Sequence, residues 1–128
     1  MNYVHIVAVL AILQFLVFGM LVGRARERYG VKAPATSGHE LFDRTYRVHA
    51  NTLEQLIAFL PALLISSLYW SNGIVAGIGV VYLIGRILYR RSYMADPARR
   101  ALGFLLTVLP TFVLLAMSLA GAVSRHAA

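Results

Sequence analysis

Four stretches of this sequence are apolar for long enough to cross the hydrocarbon core of a bilayer, which takes about 20 residues. They predict helices over about residues 3–23, 44–70, 73–93 and 100–123. Apolar residues make up 59% of the 128 residues and charged residues only 13%, more apolar surface than a soluble domain of this size could bury. We therefore expect one all-α domain, residues 1–128, that forms an integral membrane four-helix bundle.

The first apolar stretch is expected to be a retained helix and not a signal peptide. No basic residue precedes it, and its apolar part exceeds the roughly 7–15 residues of a signal peptide. Arginines also follow it where small residues would mark a cleavage site.

Basic residues are concentrated in two of the three predicted loops. The first loop region contains Arg24, Arg26, Arg28, Lys32, Arg44 and Arg47, and the third contains Arg90, Arg91, Arg99 and Arg100. The second loop, residues 71–73, has no charge. The positive-inside rule places the basic loops in the cytoplasm and both termini on the other side, with Arg125 as a weak opposing signal. Because these cations lie at the ends of the apolar stretches, they indicate membrane lipid and not nucleic acid as a partner.

The second predicted helix has a polar stripe. Its members are spaced three, four and three residues apart and so share one helical face: Arg44, Arg47, Asn51 and Glu54. Inserting a charged side chain at mid-membrane costs about 2.5–3.5 kcal/mol, so residues of this kind usually have a structural or functional role. The stripe is either an ion-pair ladder that only joins helices or one wall of a polar binding site.

The third predicted helix has a comparable face. Its members are spaced four, three and four residues apart: Tyr82, Arg86, Tyr89 and Tyr93. An interfacial aromatic belt accounts for Tyr93 but poorly for the deeper Tyr82. A ligand with two carboxylates and an ammonium would match these stripes, whereas contacts to lipid phosphate are the preferred interpretation for Arg24, Arg28, Arg90 and Arg91.

Several kinds of chemistry are absent from the sequence. There is no cysteine, so any thiol chemistry must use a thiol of the substrate. The histidines lack metal-ligand spacing, and we expect no metal; they are His5, His39, His49 and His126.

Glycine and proline positions bear on how the helices pack. Gly19 and Gly23 are four residues apart, as are Gly73 and Gly77. These pairs either mark close helix contacts or simply reflect how common glycine is in membrane helices. Prolines at 61 and 110 lie inside predicted helices and are expected to bend them.

The chain resembles the MAPEG family, the membrane-associated proteins in eicosanoid and glutathione metabolism. The resemblance is carried by residues 23–26, 32–38 and 42–54, with the pattern F-D-R-x-Y-R-x-x-x-N-x-x-E, and continues through residues 85–86, 89–93 and 100. Two positions depart from the pattern. Many relatives have proline where this chain has Ile57 and an aromatic residue where it has Gln55.

The resemblance implies a homotrimer that binds glutathione between subunits, near the cytoplasmic face, and takes a lipophilic substrate from the membrane. It implies glutathione contacts at Arg26, Arg47, His49, Asn51, Glu54, Tyr89 and Tyr93. Arg100 matches the arginine that stabilises the glutathione thiolate, although another placement of the nearby proline-containing loop would favour Arg99.

Three functional hypotheses follow. The first is a glutathione transferase or glutathione-dependent peroxidase acting on lipophilic electrophiles. The second is a non-catalytic lipid-binding or scaffolding protein of the same family. The third, a small transporter or lipid-organising protein, is disfavoured because the sequence has no internal repeat and no interrupted helix.

Overall fold

The computed structural model describes residues 1–124, and its four long helices confirm the predicted fold class. Arg125 and His126 lie outside the described residues. The helices are α1 (Tyr3–Tyr29), α2 (Glu40–Ser66), α3 (Asn72–Ala95) and α4 (Ala101–Ser124). A single 3-10 turn, Pro97–Arg99, joins α3 to α4. All four helices are long and apolar enough to cross a membrane.

The second helix is shifted toward the N-terminus relative to the predicted 44–70. It begins at Glu40, where the His39 ring accepts a hydrogen bond from the Leu41 N–H at 3.1 Å. It ends at Ser66, where the Ser66 and Ser67 hydroxyls donate to the carbonyls of Leu63 and Leu64. The apolar run continues through Trp70, but its last residues form turns. Apolar composition alone therefore placed the end of this helix too late.

The uncharged end of the bundle contains the α2–α3 turn and the first residue of α1. The Asn72 side chain accepts from the Tyr3 N–H at 3.0 Å and donates to Asn2 at 3.1 Å. The Trp70 indole N–H donates to the Met117 carbonyl of α4 at 2.8 Å. The first residues of α1 and the last turns of α4 therefore lie at the same end of the bundle, opposite the basic loops.

The interior of the uncharged half is apolar, and so is most of the outer surface. Phe59 and Tyr82 stack in the core with ring centroids 3.7 Å apart, surrounded by buried residues such as Leu63 and Leu114. Leucine, isoleucine and valine side chains are exposed along all four helices. A continuous apolar exterior of this kind suits lipid and not water.

Among the glycines of the predicted pairs, only Gly19 lies at a close helix contact, where a Cβ would be 3.0 Å from His49 Nε2 of α2. A side chain at Gly23, Gly73 or Gly77 would meet no atom within 4 Å, so these positions do not bring helices together within one chain. The close approach is between α3 and α4, where a Cβ on Gly103 would lie 2.3 Å from the Tyr89 nitrogen. A Cβ on Gly85 would lie 2.8 Å from the Leu106 carbonyl oxygen. That carbonyl has no helical partner because the residue four positions later is a proline.

Candidate functional site

The polar stripe of α2 holds three of the predicted contacts on one face, near its N-terminal half. Arg47 Nη1 lies 3.8 Å from Glu54 Oε1, and both side chains are more than half exposed, at 57% and 58%. Between them, Asn51 is buried and its Oδ1 has no hydrogen-bond partner among the described residues. The ion pair joins two residues of the same helix, so it does not serve as a ladder between helices. Its long separation and exposure also make it a weak interaction.

Arg44 does not belong to this stripe as predicted. Its guanidinium donates to the carbonyls of Met94 at 2.9 Å and Ala95 at 3.4 Å, and it pairs with Glu40. Met94 and Ala95 are the last residues of α3, where carbonyls have no N–H of their own helix to accept from. Arg44 therefore ties the start of α2 to the end of α3 and is not free for a ligand.

Two tyrosines of α3 face the α2 stripe. Tyr89 and Tyr93 stack with ring centroids 5.5 Å apart, and Tyr89 is buried whereas Tyr93 is partly exposed. Tyr89 belongs to one buried cluster with Val48 of α2, and Tyr93 packs against that cluster. Tyr93 also lines an open cavity of about 560 Å³ beside the α1–α2 loop. The structure thus places the two phenols of α3 beside the polar stripe of α2.

Arg100 follows the 3-10 turn and is exposed at the start of α4. The Asp96 carboxylate accepts from the Ala98 N–H at 3.0 Å and so fixes the beginning of that turn. Arg99 is exposed on the same turn, next to Arg100.

Arg86 was not among the predicted glutathione contacts, but the structure places it against Tyr89. It is completely buried, and its guanidinium donates to the hydroxyls of Thr52 at 2.9 Å and Thr107 at 3.4 Å. Its guanidinium carbon lies 4.4 Å from the centre of the Tyr89 ring. No carboxylate within the described residues 1–124 forms an ion pair with it, although the charge of Glu54 acts on it from a distance. The four-three-four spacing of the α3 face was the signal that could have identified it.

The two threonines are suited to this buried cation. The Thr52 hydroxyl donates to the Val48 carbonyl at 2.7 Å, and the Thr107 hydroxyl donates to the Gly103 carbonyl at 2.8 Å. Because each hydroxyl proton is donated to a carbonyl of its own helix, the lone pairs of both oxygens are left to accept from the guanidinium. Arg86 consequently connects α2, α3 and α4 directly beneath Tyr89.

Two predicted contacts lie apart from this cluster within one chain. Arg26 donates to the Ala35 carbonyl at 2.6 Å and lies over the Phe42 ring, so it holds the α1–α2 loop. His49 stacks on Phe15 of α1 with ring centroids 4.6 Å apart, on a different face of α2 from Arg47. Within residues 1–124, no group of three or more acidic, histidine or cysteine side chains could hold a metal ion.

Comparison with known proteins gives a consistent family match. The MAPEG family model matches residues 4–120. An uncharacterised protein of Synechocystis is 45% identical over 109 residues, which is 85% of this chain and 80% of that protein. Human microsomal glutathione S-transferase 2 is 32% identical over 102 residues, 80% of this chain and 69% of its own length. Leukotriene C4 synthase of Cavia porcellus is 31% identical over 115 residues, 90% of this chain and 77% of its own length.

Proposed function

Since the chain belongs to the MAPEG family and is an integral multi-pass membrane protein, we propose that it is a glutathione transferase or glutathione-dependent peroxidase acting on lipophilic electrophiles. The observation that carries the proposal is the shared face of Arg47, Asn51 and Glu54 on α2, because the intervening Val48 packs in one buried cluster with Tyr89 of α3. Relatives named as a glutathione S-transferase and a leukotriene synthase support it at the level of the family.

Glutathione has two carboxylates, one ammonium and one thiol, and the cluster offers partners for one carboxylate, the ammonium and the thiol. Arg47 pairs with a carboxylate, and Glu54 pairs with the ammonium. Because these two side chains are only weakly paired with each other, a ligand can separate them at little cost. The unpaired Asn51 oxygen accepts a hydrogen bond from the peptide, and the Tyr89 and Tyr93 hydroxyls complete the polar wall.

Arg100 is assigned the role of stabilising the thiolate. A cysteine thiol has a pKa of about 8.5, so only a few per cent is ionised at neutral pH. A guanidinium beside the sulfur favours the anion, while the thiol proton passes to water because arginine is a poor base. In conjugation, the thiolate sulfur forms a bond to an electrophilic carbon and the leaving group departs with its electron pair. In the peroxidase reaction, the thiolate sulfur bonds to a hydroperoxide oxygen and the O–O bond breaks, so that the alkoxide leaves and takes a proton from water to become the alcohol. The thiol of a second glutathione then displaces water from the resulting sulfenic acid and forms the disulfide.

The assembly proposed for this reaction is a homotrimer with the basic end of each bundle in the cytoplasm. Arg47 and Glu54 are more than half exposed on a helix of membrane length, and charged groups facing lipid are costly. A neighbouring subunit covering this face removes that cost. Arg26 and His49, which lie apart from the cluster in their own chain, are proposed to border glutathione from the partner subunit.

Calorimetric titration of glutathione into the detergent-solubilised protein tests the binding site. We expect micromolar-to-millimolar binding that weakens by at least about tenfold in Arg47→Ala, because a charge-assisted hydrogen bond contributes about 1.5–3 kcal/mol. Arg91→Ala is the matched control, since Arg91 is an exposed arginine of the same end outside the cluster. Undiminished binding in Arg47→Ala would remove the proposed site.

A further inference from the structure

A second group of arginines surrounds a cavity that the proposed glutathione site does not use. The cavity has a volume of about 590 Å³ and lies between the C-terminal parts of α1 and α3. Its lining includes Arg24 and Arg28 of α1 and Arg90 of α3. Arg47, Glu54 and Tyr89 are not among its lining residues. Its volume is within the range of about 300–1,000 Å³ typical of small-ligand sites.

We propose that this cavity binds a phosphate-bearing anion, with the headgroup of an anionic phospholipid as its ligand. The lining of the cavity carries an excess of positive charge. Three guanidinium groups face one carboxylate, Glu27, which leaves an excess of two positive charges (3 − 1 = 2). No ion pair within the described residues 1–124 involves any of the three arginines. Their donors are therefore available to an external anion.

Phosphate is favoured over a carboxylate by the number and geometry of these donors. An arginine presents a planar fork that matches two phosphate oxygens, and several forks can share the oxygens of one phosphate. Arg24 and Arg28 are one helical turn apart on α1, and Arg90 faces them from α3. A phosphate between the helices is thus approached from two directions.

The position of the cavity indicates lipid as the source of that phosphate. The arginines lie where the apolar parts of α1 and α3 end, which is the depth of phospholipid headgroups. Leu21 and Met94 form the apolar part of the lining. On the same face of α1, Val17 and Met20 are exposed and offer an apolar path for an acyl chain. A headgroup and its chain would both be accommodated.

Native mass spectrometry of protein reconstituted with phosphatidylglycerol and phosphatidylcholine tests the proposal. The wild type should retain phosphatidylglycerol after delipidation, in preference to phosphatidylcholine. Arg24→Gln and Arg90→Gln should each weaken retention about fivefold, which corresponds to about 1 kcal/mol per arginine at a membrane surface. Arg91→Gln is the control, because Arg91 is the exposed neighbour of Arg90 and does not line the cavity.

The outcomes separate a built site from general surface charge. Equal losses in Arg90→Gln and Arg91→Gln, or no loss in either, would overturn the proposal. Calorimetry with inorganic phosphate in lipid-free detergent distinguishes the two sources. Binding of phosphate that depends on Arg90, without selective retention of phosphatidylglycerol, would support the anion site but overturn lipid as its ligand. Thermal unfolding of each variant checks that it is folded, and glutathione binding is expected to be unchanged throughout.

Discussion

The guanidinium of Arg86 lies 4.4 Å from the centre of the Tyr89 ring, so a buried cation supports the aromatic wall of the candidate site from below. A cation in this position is attracted to the negative face of the ring. The other side of the guanidinium is held by Thr52 and Thr107. The orientation of Tyr89 is therefore linked to the packing of three helices.

The Arg86–Tyr89 contact predicts a separation of activity from stability. Arg86→Met keeps most of the side-chain volume but removes the charge, so kcat/KM for glutathione conjugation should fall at least about tenfold, or about 1.4 kcal/mol. The thermal midpoint should change little, because the variant also removes an unpaired buried cation whose desolvation is costly. Conjugation kinetics and thermal unfolding in detergent measure the two effects. A large loss of stability with unchanged kcat/KM would indicate a structural role alone.

The two arginines at the start of α4 are predicted to differ in importance. Arg100→Ala should lower the conjugation rate with chlorodinitrobenzene by about tenfold or more, because the thiolate loses its neighbouring cation. Arg99→Ala should have little effect, since Arg100 is the arginine proposed to lie beside the thiolate. Steady-state conjugation assays of both variants measure this difference. The reverse order would assign the role to Arg99, and no turnover even in the wild type would favour the lipid-binding or scaffolding hypothesis.

The α3–α4 contact predicts a large effect of one added methyl group. In Gly103→Ala, the new Cβ would lie 2.3 Å from the Tyr89 nitrogen, so the helices must separate. We expect a loss of about 1–3 kcal/mol or more in the free energy of unfolding. Gly77→Ala is the control: its Cβ meets nothing within 4 Å, and alanine stabilises helices by about 0.5–1 kcal/mol relative to glycine. Thermal midpoints in detergent compare them, and similar values would contradict the close approach.

The role of Arg44 at the end of α3 predicts a local change in dynamics. Arg44→Gln removes charge-assisted bonds to the Met94 and Ala95 carbonyls, so the last turn of α3 should open more readily. Hydrogen exchange of residues 91–96 measures this opening, and we expect it to rise at least about fivefold. Glu40→Gln is the control, because Glu40 is exposed and contributes only a surface ion pair. Equal exchange in both variants would show that the carbonyl bonds do not hold this turn.

Much of the fold was predictable because membrane helices are set by the length of apolar runs. The spacing of Arg47, Asn51 and Glu54 on α2, and of Tyr89 and Tyr93 on α3, was also sufficient to place each set on one face. That these faces lie close together depends on helix packing that spacing alone does not determine.

The errors arose where a residue's role depends on a neighbour distant in sequence. Arg44 has the right spacing for the stripe, but the carbonyls that occupy it are about 50 residues away. Gly73 and Gly77 have a spacing typical of close packing, yet their side of α3 faces no helix of the same chain. None of these partners can be read from local periodicity.

The hydrogen bonds of Arg86 also constrain how the protein can come apart. Because one guanidinium is bonded to α2 and α4 at the same time, α3 cannot leave alone without carrying a bare cation into hydrocarbon. That transfer costs about 2.5–3.5 kcal/mol for an arginine at mid-helix. When the chain is extracted from a bilayer by mechanical force, α3 should therefore emerge together with a neighbouring helix, as a hairpin.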